Sequence, residues 1–207
     1  MRRICTVLAR AGSTGVPGKN LRPLGGVPLV AHSVRHARAT GLFEVVAVST
    51  DDPEVRAVAR DEGADVLVER PADLATATAA KLPAVLHCVE AAERATGGRF
   101  DVVVDLDVTS PLRIPSDVAD AVALLEANPD AGNVITVTPA RRSPYFNLVE
   151  GTAGGPVRLV REVDPPPVRR QDVPACFDMN ASVYVWWRDA LTPDARVIGA
   201  TTLAHLM

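Results

Sequence analysis

Cysteine is scarce in this chain: three in 207 residues, Cys5, Cys88 and Cys176. They are far apart and odd in number, so they offer neither a metal-ligand spacing nor a disulfide framework, and a reducing cytoplasm is the expected compartment. Cys5 lies in an apolar run, where it reads as a small buried hydrophobe. No stretch approaches the ~20 apolar residues of a membrane-spanning helix. The run behind the N-terminal arginines breaks at Arg10 and Gly12, too short for a signal segment. Excess positive charge is also lacking. The formal net charge is −3, so nothing marks the surface as a nucleic-acid or membrane binder, and any anion site must be local. There is no internal repeat, no low-complexity tail, no Ser-His-Asp order and no nucleophile elbow. His32, His36 and His87 fall on expected helices, where packing or surface roles outweigh catalysis.

What is present is enough for a core, since 47% of the residues are hydrophobic. Apolar β-rich runs recur at residues 4–9, 44–50, 64–70, 101–108 and 133–139. Between them lie helical patterns at 28–41, 53–63, 76–98 (beginning in earnest near Pro83) and 114–130, the last with Ser116 as its N-cap. Strands apolar throughout, alternating with helices, indicate a doubly wound α/β fold: a mostly parallel sheet with helices on both faces. Ligands bind such sheets at the carboxyl ends of the strands. The loops of interest are therefore 9–27, 49–53, 70–82 and 107–115.

Residues 140–178 break the pattern. The stretch from Pro139 to Asp178 holds seven prolines and six arginines, with a hairpin signal around "GTAGGP". An excursion this long is a lid, a dimerisation arm or disorder; a strand resumes at 181–187. The expectation is one domain over 1–207, with 140–178 inserted as an arm or lid.

The loop "LARAGSTGVPGKN" (8–20) follows the first strand. Its backbone N–H groups, with Arg10 and Lys19, suit an anion such as phosphate; the plainer alternative is a surface loop with turn glycines. It is not a P-loop, because Gly15 and Gly18 are too close and Asn20 follows Lys19. It is not a dinucleotide fingerprint, because Gly12, Gly15 and Gly18 are evenly spaced. Asp51 and Asp52 end a strand at the ligand edge and either meet a ribose or cap the next helix. Alternation puts Asp105 and Asp107 on one side of their strand. There they hold Mg²⁺ with phosphate oxygens, or one is buried while the other caps a turn. Residues 169–172, "RRQD", are a solvated basic face or a clamp for an acidic substrate.

Five ordered stretches, "RAGSTGVPGKNLRPLGGVPLV", "VVAVSTDDPEV", "VERPADLA", "VTSPLR" and "RRQDVPACFDMNASVYV", resemble the acylneuraminate (CMP-sialic acid synthetase) type of cytidylyltransferase. The resemblance implies transfer of CMP from CTP to a small acidic acceptor, with Mg²⁺ as cofactor and release of pyrophosphate. It also implies a homodimer whose projecting arm reaches the partner's site. Arg10, Lys19 and Asp107 are the implied catalytic set. Ala9, Arg10, Gly12, Ser13, Thr14, Lys19 and Asn20 would form the nucleotide loop. Arg70 would help recognise cytosine, and Thr109, Ser110, Arg113, Arg170, Gln171 and Asn180 would face the acceptor. CTP and the acceptor are then the partners, with no nucleic acid and no membrane.

The departures from the family pattern sharpen the expectation. The family's loop reads G-S-K-G, but Thr14 stands in place of that lysine, and Lys81 is expected to restore the charge. The family's L-Q-P-T-S-P-L-R strand has Asp107 and Val108 in place of Gln and Pro, so Asp107 is the expected metal ligand. Nothing after Leu203 matches the family's aspartate-bearing metal segment. Relatives that attach CMP to small phosphonates leave the acceptor open between a nonulosonic acid and a phosphonate. A catalytically impaired nucleotide binder and an NAD-dependent oxidoreductase are the alternatives.

Overall fold

The computed structural model describes residues 1–13 and 15–207, with Arg170 described by its backbone alone. Thr14 and the Arg170 side chain, both expected at the site, lie outside the described residues. The chain runs β1 (Arg3–Leu8), β2 (Pro23–Leu24), β3 (Val27–Pro28), α1 (Leu29–Thr40), β4 (Val45–Thr50), α2 (Pro53–Asp61), β5 (Val66–Glu69) and α3 (Lys81–Thr96). It continues with β6 (Val102–Leu106), α4 (Pro115–Glu126), β7 (Asn133–Pro139), β8 (Val149–Gly151), β9 (Val157–Leu159), β10 (Phe177–Trp187) and β11 (Thr202–Leu206).

Seven strands form one sheet in the order β11-β7-β10-β6-β1-β4-β5. β1 lies parallel to both β4 and β6, and β4 parallel to β5, while β10 pairs antiparallel with β6. The chain steps outward from β1 to β4 and β5, then returns past β1 to β6. That reversal opens a crevice at the carboxyl ends of β1 and β6, the usual ligand position in a doubly wound sheet. The fold class expected from the alternation of strands and helices is therefore the one observed.

Alternate residues of each strand serve opposite faces. Cys5, Val7, Val46, Val48, Val102, Val104 and Leu106 join one apolar cluster with Val30 and Val34 of α1, Val55 of α2, and Val118 and Leu125 of α4. α3 packs on β1, β4 and β5, over the complementary set that includes Thr6, Ser49 and Asp105. The face beneath α3 thus carries buried polar residues among its strand side chains, Thr6, Ser49 and Asp105.

Local chemistry explains most boundaries. Gly41 closes α1 with φ 66°, a left-handed conformation that glycine adopts without strain. Asp52 caps α2, its Oδ1 accepting from Glu54 N at 2.9 Å and Val55 N at 3.4 Å. α3 begins at Lys81, with Pro83 inside its first turn, where the missing N–H costs nothing. The expected Ser116 cap is corrected: Ile114 is the N-cap residue, and Asp117 reaches back to accept from Ile114 N at 2.8 Å. Ser116 lies inside the helix because Pro115 already sets the first helical φ. β2, β3 and β11 were not expected from the pattern; two of them are only two residues long.

By chain contacts, residues 1–136 with 181–205 form one compact unit, and 137–180 with 206–207 form a second. The second unit contains the β8–β9 antiparallel hairpin around "GTAGGP" and the 3-10 turn Arg170–Asp172.

Candidate active site

A cavity of about 590 Å³ opens within the first unit, lined by residues of the 10–20 loop on one side and by Arg70, Lys81, Asp105 and Asp107 on the other.

The loop wall is held by its backbone. Ala11 N donates to Asp51 Oδ1 at 2.8 Å, and Asn20 Nδ2 donates to the Arg10 carbonyl at 2.9 Å. The Arg10 guanidinium folds back onto the Gly12 carbonyl at 2.5 Å. Gly18, with φ 64°, turns the chain into the short 3-10 helix Lys19–Leu21, whose first residue reaches the cavity lining. Among the described residues, neither Arg10 nor Lys19 takes part in an ion pair. Ala9 lies beneath the loop, 1% exposed. Its N–H donates to the Ser49 carbonyl and its own carbonyl accepts from Thr50 Oγ1 at 2.6 Å. Arg10, Ser13, Lys19 and Asn20 line the cavity, whereas Ala9 and Gly12 support it.

The strand wall is built differently. Asp105 is 0% exposed; its Oδ1 accepts from Thr6 Oγ1 at 2.8 Å. Its Oδ2 makes no aligned hydrogen bond, but lies 2.8 Å from Lys81 Nζ in an ion pair. The same ammonium is 3.4 Å from Asp107 Oδ2 and 3.8 Å from the centre of the Tyr184 ring. Asp107 leaves the end of β6 in a turn, and its Oδ1 accepts from Thr109 N at 2.9 Å and Thr109 Oγ1 at 2.5 Å. Thr109 therefore positions Asp107, and neither it nor Ser110 lines the cavity.

Arg70 is 6% exposed and lines the cavity floor, donating from Nε to Ser49 Oγ and from Nη2 to the Ser49 carbonyl. Arg113 is 2% exposed. It donates to the Asp107 carbonyl at 2.8 Å, the Ser182 carbonyl at 3.2 Å and Ser33 Oγ at 2.6 Å. These bonds make Arg113 a strut that pins the end of β6 to β10 and α1, a different task from the expected acceptor contact. Gln171 and Asn180 belong to the second unit.

Burial disfavours charge at Lys81, but Asp105 and Asp107 outweigh it, so its pKa is raised. Burial likewise opposes charge at Asp107, yet Lys81 and the two Thr109 donors hold its carboxyl below the usual carboxylate range. Desolvation lowers the pKa of Arg70 and Arg113 from a very high starting value. The wall thus brings one lysine and two acidic side chains together as a triad.

Thr6, Tyr184 and Ser33 were not expected to take part, and Asp51, expected at a ribose or as a helix cap, holds the loop backbone at Ala11 N instead. Tyr184 meets the triad because it pairs with Asp105 across β10 and β6, and that register has no local signal. Among the described residues no group of three or more His, Cys, Asp and Glu stands ready to hold a metal. A Mg²⁺ ion, however, needs only one or two carboxylates when phosphates supply its other oxygens. The donor set fits that requirement: Asp107 lines the cavity, and the buried Asp105 Oδ2 lacks a hydrogen bond of its own.

Comparison with known proteins agrees with this geometry. A family model described as Cytidylyltransferase matches residues 4–150. The post-translational flagellin modification protein B of Campylobacter coli is 38% identical over 204 residues, covering 99% of this chain and 85% of that one. The CMP-N,N'-diacetyllegionaminic acid synthase of Campylobacter jejuni is also 38% identical over 204 residues, with coverage of 99% and 85%. In fold, the chain is similar to a CMP:2-keto-3-deoxy-manno-octonic acid synthetase complexed with CTP, at TM-score 0.69 and 17% identity, over 100% of this chain and 91% of that one. A family match across most of the sheet, with an anion loop facing a carboxylate-bearing strand end, leads to one conclusion: this chain belongs to the cytidylyltransferase family.

Proposed function

We propose that this cytidylyltransferase transfers CMP from CTP to a nonulosonic, sialic-type acid and releases pyrophosphate. The observation that carries the reading is the cavity itself, which sets a glycine-rich loop with Arg10 and Lys19 opposite Asp107. The legionaminic acid synthase among the relatives favours a nonulosonic acid over a small phosphonate as acceptor.

In this reading the triphosphate lies along the 10–20 loop, with Arg10 and Lys19 meeting its charge. Arg70, buried at the cavity floor, reads the cytosine edge. The acceptor hydroxyl oxygen, giving up its proton to solvent, bonds to the α-phosphorus as the bond from that phosphorus to the bridging α–β oxygen breaks, and pyrophosphate leaves with the bonding electrons. No side chain becomes covalently attached, in keeping with the lack of a nucleophile triad. Asp107, with Asp105 beside it, would hold Mg²⁺, which neutralises phosphate charge when bound. Thr109 keeps Asp107 in place and Ser110 flanks the acceptor, while Arg170, Gln171 and Asn180 would serve the acceptor of the partner's site.

The second unit is read as a dimerisation arm that completes the partner's site. Its exposed apolar residues support this: Phe146, Val149, Val157 and Phe177 are each at least 40% exposed. A reducing cytoplasm fits the three free thiols, of which Cys5 and Cys88 are buried; desolvation pushes Cys88 up to about 12, keeping it an inert thiol.

A pyrophosphate-release assay tests the function. It offers CTP, ATP, GTP and UTP with Mg²⁺ against a panel of nonulosonic acids and small phosphonates. CTP with a nonulosonic acid is expected to give turnover. Turnover only with phosphonates would move the acceptor. CTP binding without turnover on any acceptor would favour a nucleotide binder.

A further inference from the structure

Lys81 sits where a cation belongs. Its ammonium bridges Asp105 and Asp107 at 2.8 and 3.4 Å and rests on the Tyr184 ring, three attractions that converge on one point of positive charge. The ammonium and its nearer carboxylate differ in freedom. Asp105 is buried and fixed by Thr6, whereas the Lys81 side chain is 25% exposed and lines the cavity. A lysine is a compact charge on a flexible four-carbon stem. It starts α3, whose N-cap residue Ala80 offers no capping side chain. The helix N-terminus and the ammonium therefore face the same cavity, and both favour an incoming anion.

We infer that Lys81 is a displaceable internal countercation. Without nucleotide it occupies the place between Asp105 and Asp107 and keeps free divalent metal out; it yields that place when metal arrives together with the triphosphate. The inference rests on Asp107 being the metal-holding carboxylate. Its physical basis is charge. A lone dication entering beside the ammonium meets repulsion at close range, while a metal–triphosphate complex brings negative charge that the ammonium can follow into the cavity. Lys81 then joins Arg10 and Lys19 on the phosphates, so one side chain guards the empty site and serves the loaded one. Loading is consequently ordered, with metal and nucleotide entering together.

The test uses Mn²⁺ as a probe for Mg²⁺, with binding to the full chain read by electron paramagnetic resonance, without and with CTP. Without CTP, wild type is expected to bind Mn²⁺ weakly. Lys81→Met should bind it roughly tenfold tighter or more, as removal of a cation at contact distance requires. Adding Asp107→Asn to that variant should return binding to the weak level. With CTP, wild type should gain a protein-bound Mn²⁺ signal that Asp107→Asn loses. If Lys81→Met binds Mn²⁺ no tighter than wild type while Asp107→Asn still weakens the CTP-dependent signal, the countercation role is overturned and the metal reading stands. If Asp107→Asn leaves the CTP-dependent signal unchanged, the metal reading itself fails. Should Lys81→Met not fold, Lys81→Gln removes the charge while keeping a polar group beside Asp105. That variant must also bind Mn²⁺ more tightly than wild type, and equal binding overturns the inference.

Discussion

The two walls of the cavity solve opposite problems. The loop wall leaves Arg10 and Lys19 without carboxylate partners among the described residues, and its few bonds join backbone groups to the Asp51 carboxylate, the Asn20 amide and the Arg10 guanidinium. The strand wall engages nearly every polar group internally. Lys81 is held by two acids, Asp107 by Thr109, Arg70 by Ser49, and Arg113 by two carbonyls and Ser33. Charge left unpaired at a surface costs little and is available to a ligand, whereas buried charge must be compensated before any ligand arrives. The loop wall is thus organised for binding, and the strand wall for position.

If that contrast is right, substitution on the two walls should separate activity from stability. The largest effect belongs to the loop. Arg10→Ala and Lys19→Ala are each expected to lower kcat/KM for CTP roughly 10²- to 10³-fold, the scale for losing one donor to developing charge. Their folding stability should move by no more than about 0.5 kcal/mol, as for residues that are not buried and have no ion-pair partner among the described residues. Pyrophosphate release and urea denaturation measure the two quantities. A variant that loses stability instead would erase the distinction between the walls.

The same contrast explains what was legible in the sequence. The alternation of apolar runs with helical patterns fixed the fold class, and the glycines with Arg10 and Lys19 marked the loop wall, because both signals are local. Asp105 and Asp107 were readable as a pair from period-two spacing, and both do meet Lys81 Nζ. The rest of the strand wall was not readable. Tyr184 reaches the triad through an antiparallel pairing 79 positions away, Tyr184 to Asp105. Ser33 and Ser182 reach Arg113 from α1 and β10. Such partners are set by tertiary register, which leaves no trace in a short window. The resemblance placed Arg113 near the acceptor, but its burial, with α1 on one side and β10 on the other, made it a strut.

Arg113 gives the next largest effect and sharpens the contrast from the other side. Arg113→Met keeps much of the side-chain volume but removes the guanidinium's donors to the Asp107 and Ser182 carbonyls and to Ser33 Oγ, leaving the Ser33–Asp107 and Asp107–Ser182 bonds to hold that corner alone. Loss of three hydrogen bonds from a buried cation costs about 3 kcal/mol. Urea denaturation should show that loss, and kcat should fall because the end of β6 that carries Asp107 is no longer pinned. An Arg113→Met protein as stable as wild type, with only KM for acceptor raised, would return Arg113 to the acceptor side.

The smallest effect lies beneath that strut and appears as a pH dependence. His36 of α1 is half-buried, with Nδ1 lacking a hydrogen-bond partner. Burial, then the Arg113 charge and His32, lower its pKa to about 4, with Asp117 opposing weakly. The folded protein therefore holds His36 neutral where the unfolded chain, titrating near ~6.5, is already binding a proton. Between those two values the unfolded state takes up more protons, so stability falls as pH decreases. The contribution is fully present above about pH 6.5, declines from there to about pH 4 and levels off below. Solvent screening of a half-buried ring reduces the contribution to about 1 to 2 kcal/mol. His36→Leu should flatten the stability profile over this window, as measured by urea denaturation at a series of pH values. In Arg113→Met the His36 titration should shift upward, because the second-largest cause of its low pKa is gone. An unchanged profile in His36→Leu would assign the acid sensitivity to other groups and remove α1 from the buried wall's electrostatics.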